Sequence, residues 1–168
     1  MIKKIFTGLT VIFITSALFS FPRYNPEIHS EITKDQLRGF VEECKAFAQI
    51  YGKKEALLEI KKKNGLFQRG ELYIYAYDFN CVVLSHGLNT GLIGTNLSNL
   101  KDPTGKAIIT EMTNMLKKQQ SGWLKFHWFH PQTGEVKPKL GYCTKVDNTW
   151  WIGSGIYGES FDQLDDMN

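Results

Sequence analysis

The stretch ELYIYAYD, residues 71–78, decides the fold because its side chains alternate with a period of two. Tyrosines at every second position alternate with Leu, Ile and Ala, so an extended chain carries one aromatic and one aliphatic face. Both faces are apolar enough to be covered, which predicts a strand inside a layered domain. Turn residues follow at 78–80, and the apolar run at residues 81–85 then predicts a hairpin.

Two helices are predicted before this hairpin. Starting from Ser30 as N-cap, apolar residues recur at three- and four-residue steps as far as Tyr51, and Gly52 ends the pattern. This spacing predicts an amphipathic helix over residues 30–51. A second helical stretch covers residues 53–62 and ends at an Asn-Gly turn signal.

After the hairpin, residues 102–118 have helical spacing, with Asp102 as the predicted N-cap. Three further strands are predicted at residues 123–129, 138–146 and 150–157. The sequence therefore predicts one α+β domain over residues 30–157, in which helices cover a five-stranded antiparallel sheet. The acidic tail at residues 158–168 is predicted to be disordered.

The N-terminus has the composition of a secretory signal peptide. Lys3 and Lys4 precede an uncharged apolar run from Ile5 to about Leu18, which is shorter than the roughly 20 residues of a membrane span. We expect residues 1–20 to be cleaved near Ser20, although an uncleaved anchor is the alternative. The expected location is the periplasm or the extracellular medium, with a membrane tether if cleavage does not occur.

Charge and cysteine content exclude several classes of protein. Of 20 basic residues, two lie in the predicted signal peptide, which leaves 18 against 17 acidic residues and a net charge of +1. A nucleic-acid-binding protein is expected to carry a basic stripe, so no nucleic acid partner is predicted. The cysteines Cys44, Cys81 and Cys143 allow one disulfide with a free thiol, or none. Cys44 falls on an apolar helical face, where a buried thiol is expected.

Four segments together resemble the single Cache domain, the extracytoplasmic sensor module of bacterial chemoreceptors and sensor kinases. They are GELYIYAYDFN, VVLSHGLNTGLIGTNLSNLKDPTGK, GWLKFHWFHPQTGEVKPKLGY and WWIGSGIY, and the similarity covers residues 30–157. The resemblance implies a PAS-like five-stranded sheet with a long N-terminal helix on one face and a helical crossover on the other. Family members have glycine where Cys81 stands and usually proline where Gly87 stands.

The resemblance also implies a pocket for a small organic acid or related metabolite beneath a lid formed by residues 87–106. His86 is expected at its rim. Lys139 and Tyr142 match the family segment Pro-Lys-x-x-Tyr, here PKLGY, and a carboxylate needs a cation or neutral donors and aromatic walls. Strict alternation puts the two on opposite faces, so they share a pocket only if Gly141 marks a bulge or Lys139 precedes the strand. The candidate ligand-binding residues are Tyr73, Tyr75, His86, Trp128, Lys139 and Tyr142.

The sequence gives no reason to expect a metal, a cofactor or catalysis. His127 and His130 are three apart, a spacing that points them to opposite faces of a strand. No nucleophile elbow, HExxH motif or phosphate-binding glycine loop is present.

We therefore expect an extracytoplasmic small-molecule sensing or binding domain, monomeric or weakly dimeric. No second apolar span follows the last strand, so it is expected to act through a separate partner such as a membrane signalling or transport protein. The alternative is a Cache scaffold that binds no ligand and serves as an interaction module.

Overall fold

The structure of the protein is a computed structural model that describes residues 32–167. The predicted signal peptide and the predicted N-cap Ser30 lie outside the described residues. Within the described residues, no helix combines the length and apolar character that a membrane crossing requires.

The N-terminal helix α1, Lys34–Tyr51, begins at a capping box on Thr33, which corrects the predicted start at Ser30. The Thr33 hydroxyl accepts a hydrogen bond from the Gln36 N–H at 3.2 Å, and the Gln36 side chain accepts one from the Thr33 N–H at 2.9 Å. Gly52, with φ of 87°, ends α1 and admits a second helix, α2, at Lys53–Ile60.

Five antiparallel strands form the sheet, as the sequence predicts. They are β3 (Tyr75–Asp78), β4 (Val83–His86), β5 (Ser121–Phe129), β6 (Val136–Asp147) and β7 (Trp150–Tyr157), in the order β4-β3-β7-β6-β5. A short ladder of β1 (Gln68–Arg69) with β2 (Leu72–Tyr73) precedes them and was not predicted. The predicted first strand is interrupted at Ile74, whose N–H donates to the Phe67 carbonyl instead.

The hairpin between β3 and β4 turns at Cys81, the position where the resemblance stated above implies glycine. Cys81 has a φ of 64°, the left-handed region that glycine adopts without strain. The predicted second strand therefore begins at Val83 and not at Cys81. Asp78 holds the turn, since its carboxylate accepts from the N–H groups of Asn80 and Val82, both at 2.8 Å.

Each face of the sheet carries its own hydrophobic core. On one face, α1 packs against aliphatic residues of β3, β6 and β7, including Ala76, Leu140 and Ile152. On the other face lies α3, Ile108–Lys118, which packs its residues Ile109, Met112 and Leu116 against the tyrosine side of β3. The three cysteines are buried, free thiols, Cys44 in the first core and the other two in the second.

Two predictions are wrong: the start of helix α3 and the disorder of the C-terminal tail. Helix α3 starts six residues after the predicted N-cap, because the Asp102 carboxylate closes the preceding turn and accepts from Thr104 and Lys106 N–H groups, both at 2.9 Å. The tail predicted to be disordered contains α4, Phe161–Asp166, capped by Ser160. Leu164 of α4 is fully buried in the core on the α1 face, and this packing stabilises the helix. The acidic composition of the segment had favoured disorder instead.

Candidate ligand-binding site

A cavity of about 60 Å³ lies between the tyrosine face of the sheet, helix α3 and the segment 87–106. Its polar lining comprises Tyr73, Tyr75, Tyr77, His86 and Lys139. Its apolar lining comprises Leu92, Leu97, Leu100, Ile108, Ile109, Met112, Phe126 and Trp128. Pockets for drug-sized ligands measure roughly 300–1,000 Å³, so this one suits a ligand of a few atoms.

Lys139 dominates the chemistry of this cavity. Its side chain is only 1% exposed, and its ammonium donates to the hydroxyls of Tyr73 and Tyr157, both at 3.0 Å. The same ammonium lies 4.6 Å and 4.3 Å from the centres of these two rings, within cation–π distance. No carboxylate within residues 32–167 pairs with it. An ammonium has three N–H donors, so one remains for a bound molecule.

Two glycines of β7 make room for this arrangement. A Cβ on Gly155 would lie 2.6 Å from Lys139 Cε, and one on Gly153 would lie 2.6 Å from the Tyr75 ring. Both side chains therefore lie directly on the β7 backbone. Glycine inside a strand often marks such a close approach.

The pKa values of the two tyrosines that contact Lys139 shift in opposite directions. Burial alone raises the pKa of a phenol, but the charge and hydrogen bond of Lys139 outweigh burial at Tyr73 and lower its pKa. Burial raises the pKa of Tyr157, and the neighbouring Tyr73 raises it further. Tyr157 donates to the Phe129 carbonyl at 3.0 Å, which fixes its hydroxyl as an acceptor toward Lys139.

His86 faces the cavity as a neutral donor. Its Nδ1 accepts from the N–H groups of Leu88 at 3.2 Å and Asn89 at 3.0 Å, so the proton of the neutral ring sits on Nε2. Burial, assisted by the charge of Lys139, lowers the pKa of His86 to about 4. At neutral pH the imidazole is therefore uncharged, and its ring lies 5.2 Å from that of Tyr73.

The segment 87–106, expected as a lid, covers the cavity and is hydrogen-bonded to its surroundings. Its middle pairs with β4 through the Gly94 N–H to Val83 carbonyl bond, 2.8 Å, and Gly94 has a φ of 87°. Its end is fixed to β5 by Asp102, whose carboxylate accepts from the His127 N–H at 2.9 Å. The segment is thus an ordered wall, and its residues Leu92, Leu97 and Leu100 line the cavity.

Tyr142 does not belong to this cavity, which corrects the prediction that it shares a pocket with Lys139. Strand β6 pairs in unbroken register from Lys139 to Thr144 with β7, so no bulge occurs at Gly141. Tyr142 therefore points to the opposite face, where its hydroxyl donates to Glu42 of α1 at 2.9 Å. The structure brings together the other five candidates, Tyr73, Tyr75, His86, Trp128 and Lys139.

The two histidines of the HWFH segment have separate partners. His127 packs edge-on against Phe161, with ring centres 5.0 Å apart, and His130 Nε2 lies 3.0 Å from a Glu71 carboxylate oxygen. Residues 32–167 contain no cluster of three metal-ligating side chains.

The arrangement can hold a small anion through three donors. They are the unused N–H of Lys139, the hydroxyl of Tyr73 and Nε2–H of His86, set among aromatic and aliphatic side chains. In such a poorly hydrated site a cation attracts an anion more strongly than it does in water. Buried charges in proteins are normally paired, and the described residues leave Lys139 without a counter-charge.

Comparison with known families agrees with this architecture. A family model described as single Cache domain 2 matches residues 50–165, more than half of the chain. The chain belongs to the single Cache domain family. Cache domains are extracytoplasmic sensor domains of bacterial signalling receptors, and the five-stranded sheet with its N-terminal helix is their fold.

Two curated relatives are signalling proteins. The sensor histidine kinase MctS of Rhizobium johnstonii is 32% identical over 89 residues, which are 52% of this chain and 19% of the relative. The methyl-accepting chemotaxis protein McpP of Pseudomonas putida is 30% identical over 86 residues, which are 51% of this chain and 16% of the relative. The matched part of this Cache domain chain thus spans less than a fifth of each relative.

Solved structures extend the match over most of the chain. A methyl-accepting chemotaxis protein from Vibrio parahaemolyticus superposes with a TM-score of 0.64 at 26% identity, covering 80% of this chain and 90% of that one. A structure described as the basis for carboxylic acid recognition by a Cache chemosensory domain gives 0.57 at 27% identity, covering 73% and 86%.

Sequence reasoning missed several residues of the site. One of them is Tyr157, which lies two residues after the GSG segment of β7. Glycines inside a strand often mark a place where other side chains approach the backbone closely, so this segment was an available signal that β7 belongs to the site. Met112 and Ile109 carried only the signal of a buried helical stripe, which does not distinguish a cavity wall from a filled core.

Proposed function

We propose that this Cache domain is an extracytoplasmic sensor domain that binds a short-chain carboxylate in the cavity around Lys139. The observation that carries the proposal is the buried Lys139 ammonium, which contacts two tyrosine hydroxyls but no carboxylate among the described residues. A ligand carboxylate supplies the missing negative charge. The carboxylic acid recognised by the structurally similar Cache domain supports the same ligand class.

The size of the cavity restricts the carboxylate to a small one. A volume of about 60 Å³ has no room for an aromatic acid or an amino acid with a long side chain. Beyond the three donors, the walls are aromatic and aliphatic, so the remainder of the ligand is expected to be apolar.

The test is a thermal-shift and calorimetry series on acetate and propionate, matched with acetamide, propionamide and ethylamine. The amides keep the ligand shape without the negative charge, and the amine reverses the charge. A ligand at 100 times its Kd adds about 2.7 kcal/mol, which for a domain of this size raises Tm by roughly 5–10 °C. We expect that rise with the carboxylates and none with the amides or the amine.

Absence of stabilisation by any small acid would instead support the interaction module that binds no ligand. Equal stabilisation by acetate and acetamide would show that shape, and not the charge of Lys139, determines binding.

We also propose that the domain works outside the cytoplasm and reports to a membrane signalling protein. The similarity to proteins named as a sensor histidine kinase and a methyl-accepting chemotaxis protein supports the signalling part of this proposal. Expression of the full chain with export intact, followed by fractionation and intact-mass analysis, tests the location. A periplasmic or secreted protein without residues 1–20 is expected. A membrane-bound protein of full mass would show an uncleaved anchor, and a cytoplasmic protein would contradict the proposal.

A further inference from the structure

We propose that Met112 sets the longest carbon chain that the cavity accepts, by closing the end of the cavity away from Lys139. This inference rests on the proposed carboxylate site and deepens it, because it concerns which acids the site distinguishes.

The cavity has a charged end and an apolar end along strand β6. Lys139 and Gly141 are two residues apart in a regular strand, so they lie on the same face with about 7 Å between them along the strand. No side chain projects from β6 at Gly141, so the space above this residue is filled by side chains from other elements.

Met112 and Phe126 close this apolar end. A Cβ on Gly141 would lie 3.0 Å from Met112 Cε and 3.0 Å from Phe126 Cε1, so both side chains rest on the Gly141 backbone. Met112 is 1% exposed, and its sulfur lies 3.9 Å from the Tyr75 hydroxyl oxygen. Both closing side chains also line the cavity.

Of the two, Met112 is the residue whose truncation lengthens the cavity. Its thioether projects from α3 and fills space above Gly141, so replacement by alanine frees room for about three heavy atoms at the apolar end. Phe126 belongs to the sheet, where its aromatic ring also supports the cavity floor. A methylene that finds room in an apolar pocket strengthens binding about fourfold. One that must force packed side chains apart weakens binding by roughly tenfold or more.

Substitutions at Met112 and Gly141 are expected to act in opposite directions. Met112→Ala lengthens the cavity, so butyrate and valerate gain at least tenfold relative to acetate. Gly141→Ala shortens it, because Met112 and Phe126 must give way by a few tenths of an ångström and the adjacent free volume is the cavity. In that variant, the affinity for propionate is expected to fall more than the affinity for acetate.

Calorimetric titration of acetate, propionate, butyrate and valerate into the full chain tests this, with two further variants. Met115→Ala is the matched control, since Met115 lies on the same helix but does not line the cavity. Leu97→Ala enlarges the cavity on the side of the segment 87–106. This variant tests the alternative that the carbon chain of the acid extends toward that segment and not toward Met112. Circular dichroism and thermal melts check the fold. If Met112→Ala does not fold, Met112→Leu shortens the reach of the side chain by one atom, which withdraws the terminal methyl from above Gly141 and is expected to move the preferred acid up by one carbon.

A changed order of acids in the Met112 variant, with the wild-type order in Met115→Ala, supports the inference. If acids bind but Met112→Ala keeps the wild-type order, or if Leu97→Ala is the variant that admits longer acids, the inference is overturned while the proposed function stands. If no acid binds the wild type or any variant, both fail.

Discussion

Replacing Lys139 by methionine separates a ligand-binding lysine from a structural one. The substitution keeps an unbranched side chain of similar length and removes the charge. In the ligand-free protein, the buried ammonium has lost its hydration and gained two hydrogen bonds to tyrosines at 3.0 Å and two cation–π contacts.

These terms nearly cancel in the absence of ligand. Desolvation of a buried ion costs several kcal/mol. Hydrogen bonds from a charged donor contribute about 1.5 kcal/mol each, and a cation over a ring contributes about 1 kcal/mol, so the two pairs return about 5 kcal/mol. We therefore expect Lys139→Met to change the free energy of unfolding by less than about 2 kcal/mol.

The effect on binding is expected to be larger than the effect on stability. A charge-assisted hydrogen bond to a carboxylate is worth roughly 1.5–3 kcal/mol, which corresponds to a ten- to hundredfold loss of affinity. Urea unfolding without ligand and calorimetry with propionate measure the two effects on the same preparations. A loss of more than 3 kcal/mol of stability with unchanged affinity would refute the reasoning and make Lys139 a structural residue.

Three other substitutions test neighbouring parts of the account. Tyr142→Phe is expected to leave propionate affinity unchanged, because its hydroxyl bonds Glu42 on the other face of the sheet; a tenfold loss in calorimetry would contradict the site as described. His86→Asn retains an acceptor for the Leu88 and Asn89 N–H groups but removes the Nε2–H donor. Since the His86 pKa is about 4 when folded and near 6.5 when unfolded, the wild type should lose up to about 3 kcal/mol as pH falls from 6.5 to 4. Urea unfolding across that range should show a smaller loss in the variant, and identical pH slopes would refute this assignment. Asp102→Asn is expected to lose about 2 kcal/mol at pH 7, because burial raises but four hydrogen bonds lower the Asp102 pKa to about 2. That difference should persist above about pH 4 and vanish as pH falls to 2; a difference that persists at pH 2 would indicate a cause other than the carboxylate charge.

The strands could be predicted because their patterns are local. Alternating tyrosines in residues 71–78 specify a strand with one aromatic face, and the structure places that face on the cavity side. The helix periodicity before Gly52 identified α1 correctly at its C-terminal end. Its start was missed because Thr33, and not the predicted Ser30, is the N-cap and forms a capping box with Gln36.

Competing roles of polar side chains explain two other errors. Asp102 before Pro103 has the sequence signature of a helix N-cap, but its carboxylate closes the turn and reaches the His127 N–H of a neighbouring strand. Tertiary contacts also stabilise α4, because residues distant in sequence bury Leu164. The acidic composition of the segment does not reveal these contacts, so the helix could not be predicted.

Within the site, the alternation of side chains along a strand predicted the positions of Lys139 and Tyr142 more accurately than the match to the family segment did. The family segment pairs Lys139 with Tyr142, yet three residues along a regular strand reverse the face, as the unbroken register of β6 shows. The partner of Lys139 that sequence reasoning missed, Tyr157, comes from β7, and only strand pairing brings it within 3.0 Å. Contacts of this kind depend on the register between strands, which a single strand's pattern does not contain.

The most direct test of the central claim is a crystal structure of the protein grown with propionate. We expect a carboxylate oxygen about 2.7–2.9 Å from Lys139 Nζ, a second contact to His86 Nε2, and the methyl group toward Met112 above Gly141. Propionate bound elsewhere, or in the cavity with its carboxylate turned away from Lys139, would contradict it.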